Sequence, residues 1–166
     1  MSKIDKKNRF YYDSSFLGSS SGRSLRILSE YYGPLQRLER NNVSETIVFF
    51  GSARIPSKKD AELALQNHSD KKDLQTISKL KMDVKMSRYY EEARELANKF
   101  TVWSKSLKDS KHRYIICSGG GPGIMEAANR GASEANGVNV GLTISLPFES
   151  SENEWISDDL SMKFHY

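Results

Sequence analysis

The residues best suited to chemistry lie in one run, Ser118-Gly119-Gly120-Gly121-Pro122-Gly123, followed by Ile124-Met125-Glu126. An apolar stretch precedes the run and a pattern of small helical residues follows it. Glycines let a backbone approach an anion with no Cβ in the way. The first turn of a helix adds unpaired N–H groups and the positive end of its dipole. A phosphate suits such a place. The same glycines also suit a tight strand-to-helix turn on steric grounds alone, and the residues by themselves leave both readings open. Neither nucleotide fingerprint is complete. Gly119 and Gly121 fit G-x-G-x-x-G, but Ile124 stands at its last position, and no G-K-S/T follows for a P-loop.

Other candidates surround this loop in sequence. Gly51-Ser52-Ala53-Arg54 closes an earlier apolar run, and Arg54 offers a planar cation for a phosphate or carboxylate. An exposed arginine with no such task fits equally well. Glu126 falls in the first helical turn, where a carboxylate complements the dipole. That reading outweighs a catalytic one. Cys117, the single cysteine, lies in an apolar run and reads as a small core residue, so no internal disulfide is available. His68, His112 and His165 are scattered and read as surface residues. No spacing calls for a metal or a cofactor.

The elements that position these residues follow from periodicity. Residues 1–22 are polar and rich in Ser and Gly, which predicts a mobile tail. Leu25, Leu28, Tyr32, Leu35 and Leu38 recur at helical spacing, with Gly33-Pro34 predicting a kink or two short helices. Thr46 to Phe50 reads as a strand buried on both faces. Residues 57–86 read as a helical insertion. A long helix, or two with a break near Ser87, follows, with Tyr89, Ala93, Leu96, Ala97, Phe100, Trp103 and Leu107 as its sheet-facing stripe. Tyr114 to Cys117 is a second strand, and Ile124 to Ala135 a helix ended by Asn136-Gly137. Val138 to Ile144 is a third strand, closing at Leu146-Pro147. Residues 148–166 read as an acidic loop. Strands alternating with helices predict an α/β fold with parallel strands, about three of them in the core. Ligands bind beyond the C-terminal ends of such strands.

Charge is uneven. Residues 1–53 carry net +3, residues 54–113 net +6 and residues 114–166 net −5. The basic middle intersperses lysines with acids, which favours a solvated helix surface over nucleic-acid binding. No apolar run reaches the roughly 18 residues of a membrane span, and no secretory signal opens the chain. A cytoplasmic protein without membrane contact is the expectation.

Three segments together carry a family resemblance: Phe49-Phe50-Gly51-Ser52-Ala53-Arg54, Tyr89-Tyr90-Glu91-Glu92-Ala93-Arg94, and Cys117 through Gly131. They resemble the Lonely Guy (LOG) family. Gly141 to Glu149, with Asn153 after it, is similar to its longer bacterial members. The likeness runs from about Leu25 to Tyr166. It implies a Rossmann-like three-layer α/β fold, a homodimer in the full-length family, and hydrolysis of the N-glycosidic bond of nucleoside 5′-monophosphates, AMP or cytokinin nucleotides, to free base and ribose 5-phosphate. Carried over by position, Gly51, Ser52 and Arg54 would line the nucleotide cleft. Gly119, Gly120, Gly121 and Gly123 would meet the ligand through backbone, with Met125 and Glu126 nearby. Leu146 and Pro147 would form a wall. The family's Arg-Lys pair and its P-G-G-x-G-T-x-x-E motif do not occur in this sequence. The expectation is therefore the N-terminal half of such an enzyme, a partial nucleotide-binding domain over 23–166 with no catalytic residue of its own. A non-catalytic nucleotide-binding module is the alternative.

Overall fold

A computed structural model describes residues 9–68, 73–107, 112–144 and 152–165. After a 3-10 turn at Phe10–Tyr12 come helices α1 (Ser14–Gly18) and α2 (Arg23–Arg40), and strand β1 (Thr46–Phe49). Helices α3 (Lys58–His68), α4 (Leu74–Met86) and α5 (Arg88–Ser106) then lead to β2 (Ile115–Ser118). Helix α6 (Ile124–Glu134), β3 (Asn139–Ile144), a 3-10 turn at Asp158–Leu160 and β4 (Ser161–Phe164) complete the order. The four strands form one parallel sheet in the order β1-β2-β3-β4. This is a Rossmann-like α/β architecture. No helix among the described residues is long and apolar enough to cross a membrane.

Strand order and handedness together decide which face is covered. Right-handed crossovers that always step the same way put their helices on one face. So α5 and α6 lie side by side on the face of Ile47, Phe49 and Ile116, where Ala97, Ala128 and Ala132 are fully buried. Small residues set the helix spacing. A Cβ on Gly131 would overlap the Arg94 carbonyl of α5. Arg94 also clamps Glu134 of α6 through two nitrogens, at 2.6 and 2.5 Å. The opposite face carries a second cluster of Ile115, Cys117, Val140, Leu160 and Met162, against which Leu38 of α2 packs. Helix α2 is tied to this end of the sheet by Arg37 to the Ser161 carbonyl, 2.9 Å, and by Arg40 to Asp159, 2.6 Å.

Several sequence expectations change. The sheet has a fourth strand, β4, within the segment read as an acidic loop. Its cue is only four residues long, with Met162 buried and Lys163 exposed. Strand β1 is not buried on both faces: it lies at the sheet margin, with Val48 63% and Phe50 97% exposed. Helix α2 runs unbroken through Gly33 and Pro34. The segment read as a tail holds α1, capped by the Asp13 side chain on the Ser15 and Phe16 amides. Helix α5 begins after Ser87 as expected, but buries Tyr90, Ala97 and Thr101 instead of the whole expected stripe. Tyr89, Leu96, Trp103 and Leu107 stay exposed. The insertion is a pair of helices, α3 and α4.

Candidate functional site

The ends of β1 and β2 bring two of the expected loops together. The Ile124 amide, first in α6, donates to the Ser52 carbonyl at 3.0 Å. Gly123 has φ +71°, and a Cβ there would run into the Ser52–Ala53 backbone. Gly51 is packed against Ile124 in the same way. The glycines of these loops thus serve close packing, Gly123 against backbone and Gly51 against the Ile124 side chain, one of the two readings left open by the sequence. Ser52 Oγ accepts the Arg54 amide at 3.1 Å, turning the chain so that Arg54 leaves the loop exposed. Its guanidinium has no ion pair among the described residues. Met125 folds beneath the loop, its sulfur and methyl filling the space that side chains at Gly119 and Gly121 would need.

A buried polar network holds the glycine loop from below. Asn129 of α6 is fully buried and has every hydrogen-bonding position filled. Its Oδ1 accepts from Ser118 Oγ at 2.6 Å and from Asn153 Nδ2 at 3.1 Å. Its Nδ2 donates to Asn139 Oδ1 at 2.8 Å and to the Val140 carbonyl at 3.2 Å. Ser118 Oγ in turn accepts the Gly120 amide at 3.0 Å. Asn153 Nδ2 also reaches the carbonyls of Gly120 and Gly121, at 3.0 and 3.1 Å. Gly120, at φ +71°, makes the turn these bonds require. The loop is therefore held in shape by the chain's own hydrogen bonds.

At the N-terminus of α6 no side chain caps the helix. The Ile124 amide is used by Ser52, while those of Met125 and Glu126 have no acceptor among the described residues. Such orphan amides, at the positive end of a helix dipole, attract an anion. Glu126 is held by Tyr90, whose hydroxyl donates to its Oε1 at 2.7 Å. Burial, reinforced by that carboxylate, pushes the Tyr90 phenol far above its ordinary value, so it remains a donor. Arg130, one α6 turn on, lies over the Trp155 ring at 5.0 Å from its centroid.

Gly51, Ser52, Gly119, Gly120, Gly121, Gly123, Met125 and Glu126 thus meet at one end of the sheet, with Arg54 at its rim. Leu146 and Pro147 lie outside the described residues. Cys117 is buried beneath the loop, and burial pushes its thiol up to about 11. Sequence reasoning missed Asn129, Asn139 and Asn153 as the support of the loop. The available signal was three asparagines at positions where an apolar core pattern expects none. A cavity of about 260 Å³ lined by Thr101, Lys105, Tyr114 and Gly137 lies at the other end of the strands, where α/β folds do not place ligands.

The loop, α6, β3 and the Asn153 segment form one contiguous stretch of sequence. Residues 108–162 match the model of the SLOG cluster4 family. That is about a third of the chain, and it contains the glycine loop with its whole asparagine support. This segment is thereby similar to SLOG proteins, a superfamily that takes in LOG-like proteins, and the match is not specific to the LOG family itself. No curated protein matches the chain.

Proposed function

We propose that this chain binds a nucleoside 5′-monophosphate at the C-terminal ends of β1 and β2. The observation that carries the proposal is the pair of acceptor-free amides of Met125 and Glu126 on a loop that Asn129 and Asn153 hold preformed. The anionic group would sit on these amides, with Arg54 reaching it from the β1 loop as a charge-assisted partner. The SLOG-type match supports a nucleotide-related role for this segment.

A second reading is hydrolysis of the N-glycosidic bond, releasing base and ribose 5-phosphate. The resemblance to the LOG family favours it. Such cleavage passes through an oxocarbenium-like state that a facing carboxylate stabilises. Glu126 is the carboxylate among the residues assigned to the site, and its Oε1 is occupied by the Tyr90 hydroxyl. Binding with little turnover is the expected behaviour.

Titration calorimetry of the full chain with AMP, ribose 5-phosphate and adenosine tests both readings. AMP and ribose 5-phosphate bind one per chain, adenosine binds far more weakly, and Arg54→Ala weakens AMP by about tenfold or more. No heat with any phosphate ligand removes the binding reading. Release of adenine from AMP at ordinary enzyme rates replaces it with the hydrolase.

A further inference from the structure

We infer that Glu126 selects the sugar of the bound ligand: its second carboxylate oxygen accepts a hydrogen bond from a ribose hydroxyl, and Tyr90 holds it in place to do so. This rests on the phosphate-binding reading above and narrows it from a phosphate to a phosphorylated ribose.

The two first helical turns that meet here come from neighbouring crossovers. In a parallel sheet each crossover helix runs back against its strands, so α5 and α6 both begin at the end where β1 and β2 finish. Tyr90 is the third residue of α5 and Glu126 the third of α6. Tyr90 is 1% exposed. A hydroxyl so buried needs a partner, and this one donates to Glu126 Oε1 at 2.7 Å. Arg130, whose charge acts on the same phenol, is itself fixed by Glu134 at 3.0 Å and by the Trp155 ring.

A carboxylate that only complements the helix dipole needs no such support. It lies in water or bonds the free amides of its own first turn. Glu126 does neither. It is half-buried, no side chain caps α6, and its Oε1 is occupied by a group from another helix. Its Oε2 has no hydrogen-bond partner among the described residues, and a carboxylate oxygen can only accept.

The consequence for the ligand is chemical. The free amides of Met125 and Glu126 call for an anion, while the negative carboxylate on the same turn repels one. A ligand satisfies both by carrying its charge at one end and a hydrogen-bond donor close beside it. A bare phosphate lacks the donor. A ribose 5-phosphate unit supplies it in the 2′ and 3′ hydroxyls, whereas the amino group of a base lies farther off, beyond the sugar.

Titration calorimetry of the full chain with AMP, 2′,3′-dideoxy-AMP and inorganic phosphate tests this. Wild type should prefer AMP over the dideoxy nucleotide by about tenfold or more, as a hydrogen bond to a charged group implies. In Glu126→Ala that preference should vanish, and inorganic phosphate should bind more tightly than in wild type, because the repelling charge is gone. Weaker AMP with tighter phosphate in one variant is a crossing that a damaged fold does not produce. Tyr90→Phe keeps the ring, removes the donor, and should cut the preference by about threefold or more. Equal affinity of wild type for AMP and its dideoxy analogue overturns the inference and leaves phosphate binding standing. A preference that survives in Glu126→Ala does the same, and one unchanged in Tyr90→Phe overturns the role of Tyr90. No binding of AMP removes the nucleotide reading and this inference with it.

Discussion

Around β2, α6 and β3 every buried side-chain polar atom among the described residues has a hydrogen-bond partner, and the helix side of the sheet is closed by alanines and Gly131. Around β1 the same sheet ends in Val48 and Phe50, both in water. The two regions use one architecture and differ in what each strand has on its far side. β2 is flanked by strands on both edges and buried along its whole length, while β1 has a neighbour on one edge only among the described residues. The comparison teaches that a strand's burial in this sheet follows from having neighbours on both edges and a helix over its face.

The largest effect should come from breaking the closed region at its centre. Asn129→Leu removes a hub that serves Ser118, Asn139, Val140 and Asn153 at once. Buried polar groups left unpaired cost about 1–3 kcal/mol each, with partial relaxation, so a loss of about 3 kcal/mol in urea unfolding is expected. A loss under about 1 kcal/mol would mean the network is not a unit.

The next test compares two positions on one face of β3. Val140 is 1% exposed and Ile144 54%. Val140→Thr buries a hydroxyl among apolar groups and should cost about 2 kcal/mol, whereas Ile144→Thr should cost less than about 0.5 kcal/mol. Equal costs would erase the distinction between a covered and an open half of that face.

A kinetic measurement sharpens the same contrast. The Cys117 thiol, pushed up to about 11 by burial, is protonated and shielded at pH 8. Its reaction with an aromatic disulfide reagent should follow unfolding of the chain, while an exposed Leu96→Cys thiol reacts at once. Fast labelling of wild-type Cys117 would show that the region around β2 opens locally.

The smallest effect is on acid stability. Arg94 holds the Glu134 carboxyl below its ordinary value, with Arg130 assisting. A depressed carboxyl contributes stability that is present above its unfolded-state value of 4.5 and lost as pH falls through the lower folded-state value. Below pH 4.5 the urea midpoint should therefore fall more steeply in wild type than in Glu134→Gln, by less than about 1 kcal/mol.

Much of the closed region was legible in the sequence. Ile115-Ile116-Cys117 is a continuous apolar run, the glycine loop and Pro122 mark the turn, and small residues mark the packed face of α6. The open region was read as closed because a strand's composition does not say whether a neighbour exists. Thr46 to Phe50 has the same apolar continuity as β2 and differs only in its place in the sheet. The α5 stripe failed for a related reason. Two apolar flanks of one helix share a period, and only the position of α6 decides which flank is buried. β4 was too short and too mixed to stand out. The network of Ser118, Asn129, Asn139 and Asn153 left only its out-of-pattern asparagines as a sequence cue, because its four members come from β2, α6, β3 and the segment before β4, and their mutual distances exist only after folding.

The spatial order of the strands is also their order of synthesis. Each strand after β1 docks onto the one made just before it, and no strand has to be inserted between two already paired. A growing chain can therefore lay down this sheet in one direction as it leaves the ribosome. Its slowest joining step is the first, because Thr46 must wait for Ile115 across the whole α3–α5 excursion. Until then β1 stands alone with its apolar residues uncovered. The interval before β2 arrives is when the nascent chain is most open to association with its neighbours.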